Sequence, residues 1–354
     1  MSDLYTTIAA IQPLDADAMA AAEARQGMLT KPPLALGRLE ALSIQLAGIT
    51  GNPLPSLARK AVAVMAGDHG VTAEGVSAFP SEVTPQMVYN FVAGGAAINV
   101  LARQADARVV VTDVGVAGGL DGLEGVRHCN VRPGTANMAA GPAMTREEAL
   151  RAFQVGIDLV EELAADGLDI LATGEMGIGN TTPSSAIIAA LTGLPVARVT
   201  GRGTGITDDG LARKVAVIER ALAVNAPDRD DPVDVMAKVG GLEIAAIAGA
   251  MLAAAAHRIP VVMDGFISGA AALTAARLCR AMADYILPSH LSVEVGHQVV
   301  FAELGLTPLF DLQMRLGEGT GAVFGMIIAD SAARTLREMA TFESAGVTGE
   351  TVNA

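Results

Sequence analysis

The chain has 354 residues, of which 51% are hydrophobic and 18% are charged, and its formal net charge at pH 7 is −14. This composition is typical of a folded protein with a large core and excludes an intrinsically disordered chain. The negative charge would repel the phosphates of nucleic acids and the surface of an anionic membrane, so neither is an expected partner. The length predicts about two domains, or one large α/β unit with an appendage.

Membrane and secretory segments are not predicted. The longest uninterrupted apolar stretch, 244–256, has thirteen residues and is too short to cross a bilayer, so a buried helix is expected there. The first residues lack a basic segment ahead of their apolar part, which argues against a signal peptide. Cys129 and Cys279 have no neighbouring cysteine and are predicted to be reduced thiols. We therefore expect a cytoplasmic protein.

The chain is predicted to begin with helices. Asp15 is placed to cap a helix over 16–25, and a second apolar helical face follows between residues 39 and 49. Beyond residue 60, short runs that are apolar on both faces precede helical patterns, and such runs predict buried strands of a parallel sheet. The predicted strands cover 61–66, 109–111, 168–172, 259–263 and 285–287, and the predicted helices cover 186–191, 211–224, 243–256 and 270–282.

This alternation indicates an α/β fold in which helices cover both faces of a parallel sheet. Ligands bind such folds outside the carboxyl ends of the strands, where the glycine-rich loops of this chain are expected to meet. The terminal stretches lack strand patterns. We therefore predict an N-terminal helical part at 1–58, an α/β domain with the active site at 59–318, and a C-terminal helical part at 319–354, the terminal parts forming a smaller helical domain.

Two glycine-rich loops are candidate anion sites. Segment 174–183 (GEMGIGNTTP) follows a predicted strand and opens a helix, which Thr181 or Thr182 would cap. It matches neither the P-loop nor the dinucleotide-binding pattern, so ATP and NAD are not indicated, and a purely structural turn is the alternative. Segment 201–205 (GRGTG) with Lys214 downstream could anchor a phosphate, unless Lys214 is a solvated residue of a helix face.

Two acidic residues are candidates for proton transfer. Glu318 lies between glycines in 316–321 (LGEGTG), and Glu175 lies on a loop at the end of a strand. A glutamate held beside apolar neighbours has a raised pKa and can serve as a general base. The spacing leaves open whether the two residues face each other. Asp68 and His69 have no second histidine at metal-ligand spacing, so no metal site is predicted.

An apolar loop could form the wall of a binding pocket. Segment 75–87 contains Phe79, Pro80 and Gln86, and pockets for flat aromatic ligands are mainly apolar with few polar groups. The alternative is an ordinary helix cap at Thr84. Taken alone, the sequence of this segment favours the helix cap over a pocket wall.

Seven segments, in order along nearly the whole chain, resemble one known family. They are 31–40 (KPPLALGRLE), 67–76 (GDHGVTAEGV), 174–183 (GEMGIGNTTP), 238–242 (KVGGL), 264–268 (DGFIS), 289–290 (SH) and 315–321 (RLGEGTG). By these motifs the chain is similar to the nicotinate-nucleotide–dimethylbenzimidazole phosphoribosyltransferases, which make the lower-ligand nucleotide of cobalamin.

The resemblance implies a fold, a reaction and an assembly. The fold would be a Rossmann-like parallel sheet with a smaller helical domain from both termini, in a cytoplasmic homodimer without a cofactor. The enzyme would transfer phosphoribose from nicotinate mononucleotide to 5,6-dimethylbenzimidazole, giving α-ribazole 5′-phosphate and nicotinate.

The resemblance also implies site residues. Glu318 would be the general base, and Glu175 would lie near the acceptor base. Some relatives have Ser in place of Phe79, and their pocket amide lies one place beyond Gln86, so the acceptor wall departs from the family pattern. The implied substrate-binding residues are Phe79, Pro80, Gln86, Gly177, Asn180, Thr181, Gly203, Lys214, Gly265, Ser292 and Leu316.

The chemistry of this reaction agrees with the residues. Nicotinate leaves from a pyridinium, so its departure needs neither a proton nor a metal ion. One nitrogen of the incoming benzimidazole attacks while the other loses its N–H, and a carboxylate that takes this proton contributes about 10² to 10⁴ in rate. Two alternatives remain at this point: transfer to another acceptor, such as adenine or a phenol, and a non-catalytic nucleotide-binding protein, which would not need Glu318.

Overall fold

The computed structural model describes residues 3–348 and contains one six-stranded sheet in the order β3-β2-β1-β4-β5-β6. Every pair of neighbouring strands is parallel. The α/β fold with a parallel sheet is therefore confirmed. The strands are β1 (Lys60–Gly67), β2 (Ala107–Gly115), β3 (Val126–His128), β4 (Ile170–Met176), β5 (Val261–Met263) and β6 (Ile286–Pro288).

Helices cover both faces of the sheet and form most of the described chain. Short 3-10 helices lie at Gly70–Glu74 and Arg280–Tyr285. The α-helices are α1 (Leu4–Ala10), α2 (Ala16–Met28), α3 (Arg38–Thr50), α4 (Val83–Val92), α5 (Ala97–Gln104), α6 (Arg146–Ala165), α7 (Thr181–Thr192), α8 (Val196–Val199), α9 (Asp208–Asn225), α10 (Pro232–Val239), α11 (Leu242–Ala256), α12 (Phe266–Leu278), α13 (Val295–Leu304), α14 (Thr320–Glu338) and α15 (Phe342–Ala345).

The predicted elements are found with small shifts of their ends. Each of the five predicted strands overlaps an observed one, and Asp15 caps α2 by accepting a hydrogen bond from the Ala18 N–H at 2.8 Å. The prediction of one helix over 270–282 was wrong, because α12 ends at Leu278 and a separate 3-10 helix follows. Strand β3 was not predicted: it is short, lies at the sheet edge and is only partly buried, so it has no apolar run.

Helices α6 and α11 pack closely on small residues. All residues of α11 from Leu242 to Ala255 are buried. A Cβ at Gly156 would collide with the Ala246 carbonyl, and one at Gly249 would collide with the Phe153 carbonyl. Glycine at these two positions therefore lets the helix backbones touch. None of the helices in residues 3–348 has the length and apolar character needed to cross a membrane.

The terminal helices contact one another beside the sheet. Ala22 of α2, Ala47 of α3 and Leu336 of α14 form a small buried cluster. The Arg25 side chain donates hydrogen bonds to backbone carbonyls at the end of α14, including that of Leu336 at 2.6 Å. The division of the chain at residues 58 and 318 remains a prediction.

The sheet order determines where a ligand can bind. From β1 the chain continues to β2 and β3 on one side of the sheet, then returns to β4, which pairs with the other edge of β1. The loops after β1 and β4 therefore leave in opposite directions. A crevice forms between such loops at the carboxyl end of the sheet.

Candidate active site

A cavity of about 590 Å³ opens at the carboxyl end of the sheet. Its walls come from the ends of β4 and β5, from α4 and from the loops that precede α7, α13 and α14. The structure brings together, around this cavity, ten of the residues predicted from the sequence: Phe79, Glu175, Gly177, Asn180, Thr181, Gly203, Gly265, Ser292, Leu316 and Glu318.

Glu175 is a buried carboxyl at one end of the cavity. It lies within β4, not on the following loop as predicted, and 6% of the residue is exposed. The Asn180 side-chain amide donates a hydrogen bond to it, and the Glu318 backbone N–H is a second donor. Burial nevertheless raises the pKa of Glu175 to about 8, and the charges of Glu243 and Asp264 act in the same direction. At neutral pH this carboxyl holds a proton.

Glu318 is the second carboxyl of the cavity and adopts an unusual backbone conformation. Its φ is 64°, in the left-handed region, between Gly317 and Gly319, which also have positive φ. Its Oε2 accepts a hydrogen bond from the Ile98 N–H at 3.3 Å, at the start of α5. Burial raises the pKa of Glu318, whereas the Ile98 N–H opposes that shift. A Cβ at Gly317 would collide with Glu175 Oε1, so the glycine lets the two acids come together.

Asp264 holds the loop that carries Glu318. It follows β5, and its carboxylate accepts hydrogen bonds from the Ala322 N–H at 2.9 Å and the Gly319 N–H at 3.2 Å. His290 Nε2 lies 3.8 Å from the same carboxylate. Burial raises the pKa of Asp264, and the charge of His290 opposes this. Asp264 thus fastens the start of α14, and with it the Glu318 backbone, to the end of the sheet.

A group of hydrogen-bond donors lies around Lys214, behind the part of the cavity wall formed by Thr181 and Gly203. Lys214 is fully buried, and its Nζ donates to Thr181 Oγ1 at 2.7 Å and to the Gly201 carbonyl at 3.3 Å. Burial lowers the pKa of Lys214 to about 8, and the charge of Glu294 opposes this. Lys214 is thus not a solvated residue of a helix face. It lies behind the cavity wall, because Thr181 and Gly203 separate it from the open space.

The helix that begins at this group is capped differently from the prediction. Asn180 is the N-cap residue of α7, and Thr181 and Thr182 are its first two helical residues. Neither threonine caps the helix, so that prediction was wrong. The Asn180 side chain makes no capping bond, and its amide N–H donates to Glu175.

Comparisons with known proteins agree on one family. A family model described as a phosphoribosyltransferase matches residues 11–347. A relative from a Roseiflexus species, named nicotinate-nucleotide–dimethylbenzimidazole phosphoribosyltransferase, is 60% identical over 353 residues, which are 100% of both chains. A protein of the same name from Geobacter sulfurreducens is 56% identical over 98% of this chain and 99% of its own. The crystal structure of CobT from Thermus thermophilus matches with a TM-score of 0.91 and 50% identity, covering 94% of this chain and 100% of that chain.

The chain belongs to the nicotinate-nucleotide–dimethylbenzimidazole phosphoribosyltransferase family. The resemblance stated from the motifs is therefore confirmed. The aligned relatives span its whole length, so the family assignment covers the sheet, the terminal helices and every loop of the cavity.

The part of the cavity wall that comes from residues 79–87 is apolar. Phe79, Val83 and Met87 line the cavity, whereas Pro80 and Gln86 are exposed and lie outside the described lining. This differs from the prediction for Pro80 and Gln86. Val83 and Met87 are one helical turn apart on α4, and both side chains face the cavity.

The helix cap at Thr84, the alternative predicted for this segment, is not found either. Helix α4 begins at Val83, with Glu82 as its N-cap residue. Thr84 does not cap the helix. Its Oγ1 accepts a hydrogen bond from the Ile178 N–H at 3.1 Å, and Ile178 belongs to the glycine-rich loop after β4. Thr84 therefore ties α4 to the floor of the cavity.

The sequence did not reveal a buried ion pair beneath the cavity. His69 Nε2 lies 2.7 Å from Glu243 Oε1, and both side chains are almost fully buried. Although burial lowers it, the pKa of His69 is raised overall by the Glu243 carboxylate. A Cβ at Gly177 would lie 3.1 Å from Glu243 Oε1 and 3.2 Å from His69 Nε2, so the pair packs directly under the Gly177 turn.

Proposed function

We propose that this enzyme transfers phosphoribose from nicotinate mononucleotide to 5,6-dimethylbenzimidazole, giving α-ribazole 5′-phosphate and nicotinate in cobalamin biosynthesis. One observation carries the proposal: a single cavity is lined by two carboxyl residues, Glu175 and Glu318, and also by Thr181 and Gly203, behind which Lys214 lies. The names of full-length relatives support the same reaction.

The donor's phosphate would bind at the end of the cavity near Lys214. Thr181, Gly203 and Ser292 line the cavity there, and Lys214 lies directly behind the first two. With a pKa of about 8, Lys214 is mostly charged at neutral pH, and a bound phosphate would favour the charged form further. Backbone N–H groups at the start of α7 add partial positive charge.

Glu318 would be the general base. One ring nitrogen of the acceptor forms a bond to C1′ as the bond from C1′ to the nicotinate nitrogen breaks, and the electron pair of that bond stays on nicotinate. The N–H proton of the acceptor's other ring nitrogen goes to the Glu318 carboxylate. Glu175 already holds a proton at neutral pH, so it is poorly suited to this task.

The apolar wall favours dimethylbenzimidazole over adenine as the acceptor. Phe79, Val83 and Met87 offer no conventional hydrogen-bond acceptor to an exocyclic amine. An adenine amino group buried against them would lose its hydrogen bonds to water without replacement, at a cost of about 1–3 kcal/mol. The two methyl groups of dimethylbenzimidazole would instead be removed from water at this wall, which is favourable.

The test is the release of nicotinate from nicotinate mononucleotide in the presence of dimethylbenzimidazole, adenine or a phenol. We expect the fastest release with dimethylbenzimidazole. In Met87→Gln, the ratio of the adenine rate to the dimethylbenzimidazole rate should rise, and in the matched control Gln86→Met it should not. Binding of the donor without nicotinate release for any acceptor would contradict the proposal and favour the non-catalytic alternative.

We also propose, as the family resemblance implies, that the enzyme is a homodimer in the cytoplasm. Three large apolar residues of the N-terminal helical part support a protein contact there, since Tyr5, Met28 and Leu34 are 57%, 51% and 78% exposed. Light scattering of the purified protein should give twice the chain mass of 36.0 kDa. A mass of one chain would contradict the dimer.

A further inference from the structure

A carboxylate of the chain itself lies among the groups proposed to hold the donor's phosphate. Glu294 precedes α13 and lines the cavity, and 7% of the residue is exposed. Its Oε1 accepts a hydrogen bond from the Gly203 N–H at 2.9 Å. A Cβ at Gly201 would collide with its Oε2, so the absence of a side chain at Gly201 makes room for the carboxylate.

The surroundings of Glu294 are those of an anion site. Its Oε2 is buried and has no hydrogen-bond partner within residues 3–348. The charge of Lys214 acts on it across Thr181 and Gly203, and Ser292 is two residues away on the same loop. A carboxylate with one oxygen bound to a backbone N–H and the other unpaired occupies the position of an anionic ligand without satisfying all of its own hydrogen bonds.

Two anions cannot share this space without a large electrostatic cost. A phosphate that accepted the Gly203 N–H would take the donor now used by Glu294, and its negative charge would adjoin the carboxylate. Like charges in contact at a buried site are strongly unfavourable. The carboxylate therefore has to leave the Gly203 N–H when a phosphate arrives, because one N–H cannot serve both groups fully.

We propose that Glu294 is an internal competitor for the phosphate-binding site and thereby sets the affinity for phosphate-bearing ligands. This rests on the proposed function, which assigns the donors around Gly203 and Lys214 to the nucleotide phosphate. A nucleotide displaces Glu294 with the help of its ribose and ring contacts. Inorganic phosphate lacks those contacts, so the competition lowers its affinity. Phosphate in the surrounding solution therefore does not readily occupy the site.

The test measures the affinity of three probes for wild type and Glu294→Gln. The glutamine keeps an oxygen for the Gly203 N–H but has no charge. We expect the dissociation constants of inorganic phosphate and nicotinate mononucleotide to fall together, by about tenfold or more. The dissociation constant of nicotinate riboside, which has no phosphate, should not change.

Two further variants make the result interpretable. Glu303→Gln removes a charge from a half-exposed position of the same helix, next to Arg277, and should change none of the three affinities. Glu294→Ala removes the competing oxygen as well as the charge, and should tighten phosphate binding at least as much as the glutamine. A thermal melt of each variant checks that the fold is retained.

Each other outcome has a distinct meaning. Unchanged or weaker phosphate binding in both Glu294 variants would overturn the competitor role. Weaker binding of the mononucleotide and the riboside alike would show that Glu294 holds the ribose hydroxyls instead, which also overturns it. Failure of the proposed function is seen separately, as wild-type enzyme that releases no nicotinate or as Lys214→Ala that binds phosphate as well as wild type.

Discussion

The assignment of Glu318 as the general base can be tested by replacing one oxygen of its carboxyl with an amide nitrogen. Glu318→Gln keeps the size of the side chain and an oxygen that can accept the Ile98 N–H, now at 3.3 Å. The positive φ of the residue and the flanking glycines are unaffected. The variant therefore removes the ability to take a proton while leaving the loop in place.

The expected loss of activity follows from the role of a general base. A general base contributes about 10² to 10⁴ in rate, so kcat should fall by that factor, whereas the affinity for nicotinate mononucleotide stays near the wild-type value. The wild-type rate should rise with pH as Glu318 loses its proton. Because burial raises its pKa, this rise should lie above the range of an ordinary glutamate, and it should be absent from the variant.

Glu175→Gln is the matched comparison. With a pKa of about 8, roughly ten of eleven Glu175 side chains carry a proton at pH 7, and glutamine mimics that neutral form. We expect Glu175→Gln to keep most of its activity at pH 7 and to differ from wild type only at higher pH. Initial rates of nicotinate release and calorimetric donor binding measure both variants. A Glu318→Gln enzyme with nearly full turnover, or a greater loss in Glu175→Gln, would refute the assignment.

Four further predictions concern binding, stability and metal dependence. Lys214→Ala should weaken nicotinate mononucleotide binding far more than dimethylbenzimidazole binding in titrations of each ligand, and equal losses would contradict a phosphate role. Between about pH 4.5 and 8 the native state binds more protons at Glu175 than the unfolded state does, so the free energy of unfolding of the wild type should fall as pH rises. Urea unfolding should show that this free energy depends less on pH in Glu175→Gln. Gly156→Ala should lower the free energy of unfolding by at least about 2 kcal/mol, since its Cβ would collide with the Ala246 carbonyl and overpacking is costly. Excess chelator should leave full activity, and a loss restored by a divalent metal would mean that a metal site exists.

Local sequence patterns predicted most of the fold because the central strands are buried on both faces. The run at β1 is apolar at nearly every position, β4 begins with the apolar residues 170–172, and every residue of β4 is buried. Strand β3 has no such signal, because it lies at the sheet edge and contains Arg127 and His128. The helix capped by Asp15 could be predicted because the capping bond joins residues only three apart.

The candidate site was only partly predictable because several of its contacts join distant parts of the chain. The glycine-rich loops and Glu318 are visible as motifs, but the Gly203 contact with Glu294 spans 91 residues and the His69 contact with Glu243 spans 174. The approach of Glu318 to Glu175 depends on the missing side chain of Gly317, which no spacing rule could reveal.

A chain with a net charge of −14 and several carboxyls around its cavity repels the phosphate of its substrate, but the phosphoribose donor is not uniformly negative. Its ring nitrogen is cationic, and positive charge passes to C1′ as the bond to nicotinate breaks. Glu175, Asp264 and Glu318 line the same cavity, and Lys214 lies behind the part of its wall formed by Thr181 and Gly203. Under the proposed function the phosphate binds near Lys214 and C1′ lies beside the carboxyls. A carboxylate there stabilises positive charge that grows in the transition state, which is the kind of interaction that accelerates a reaction.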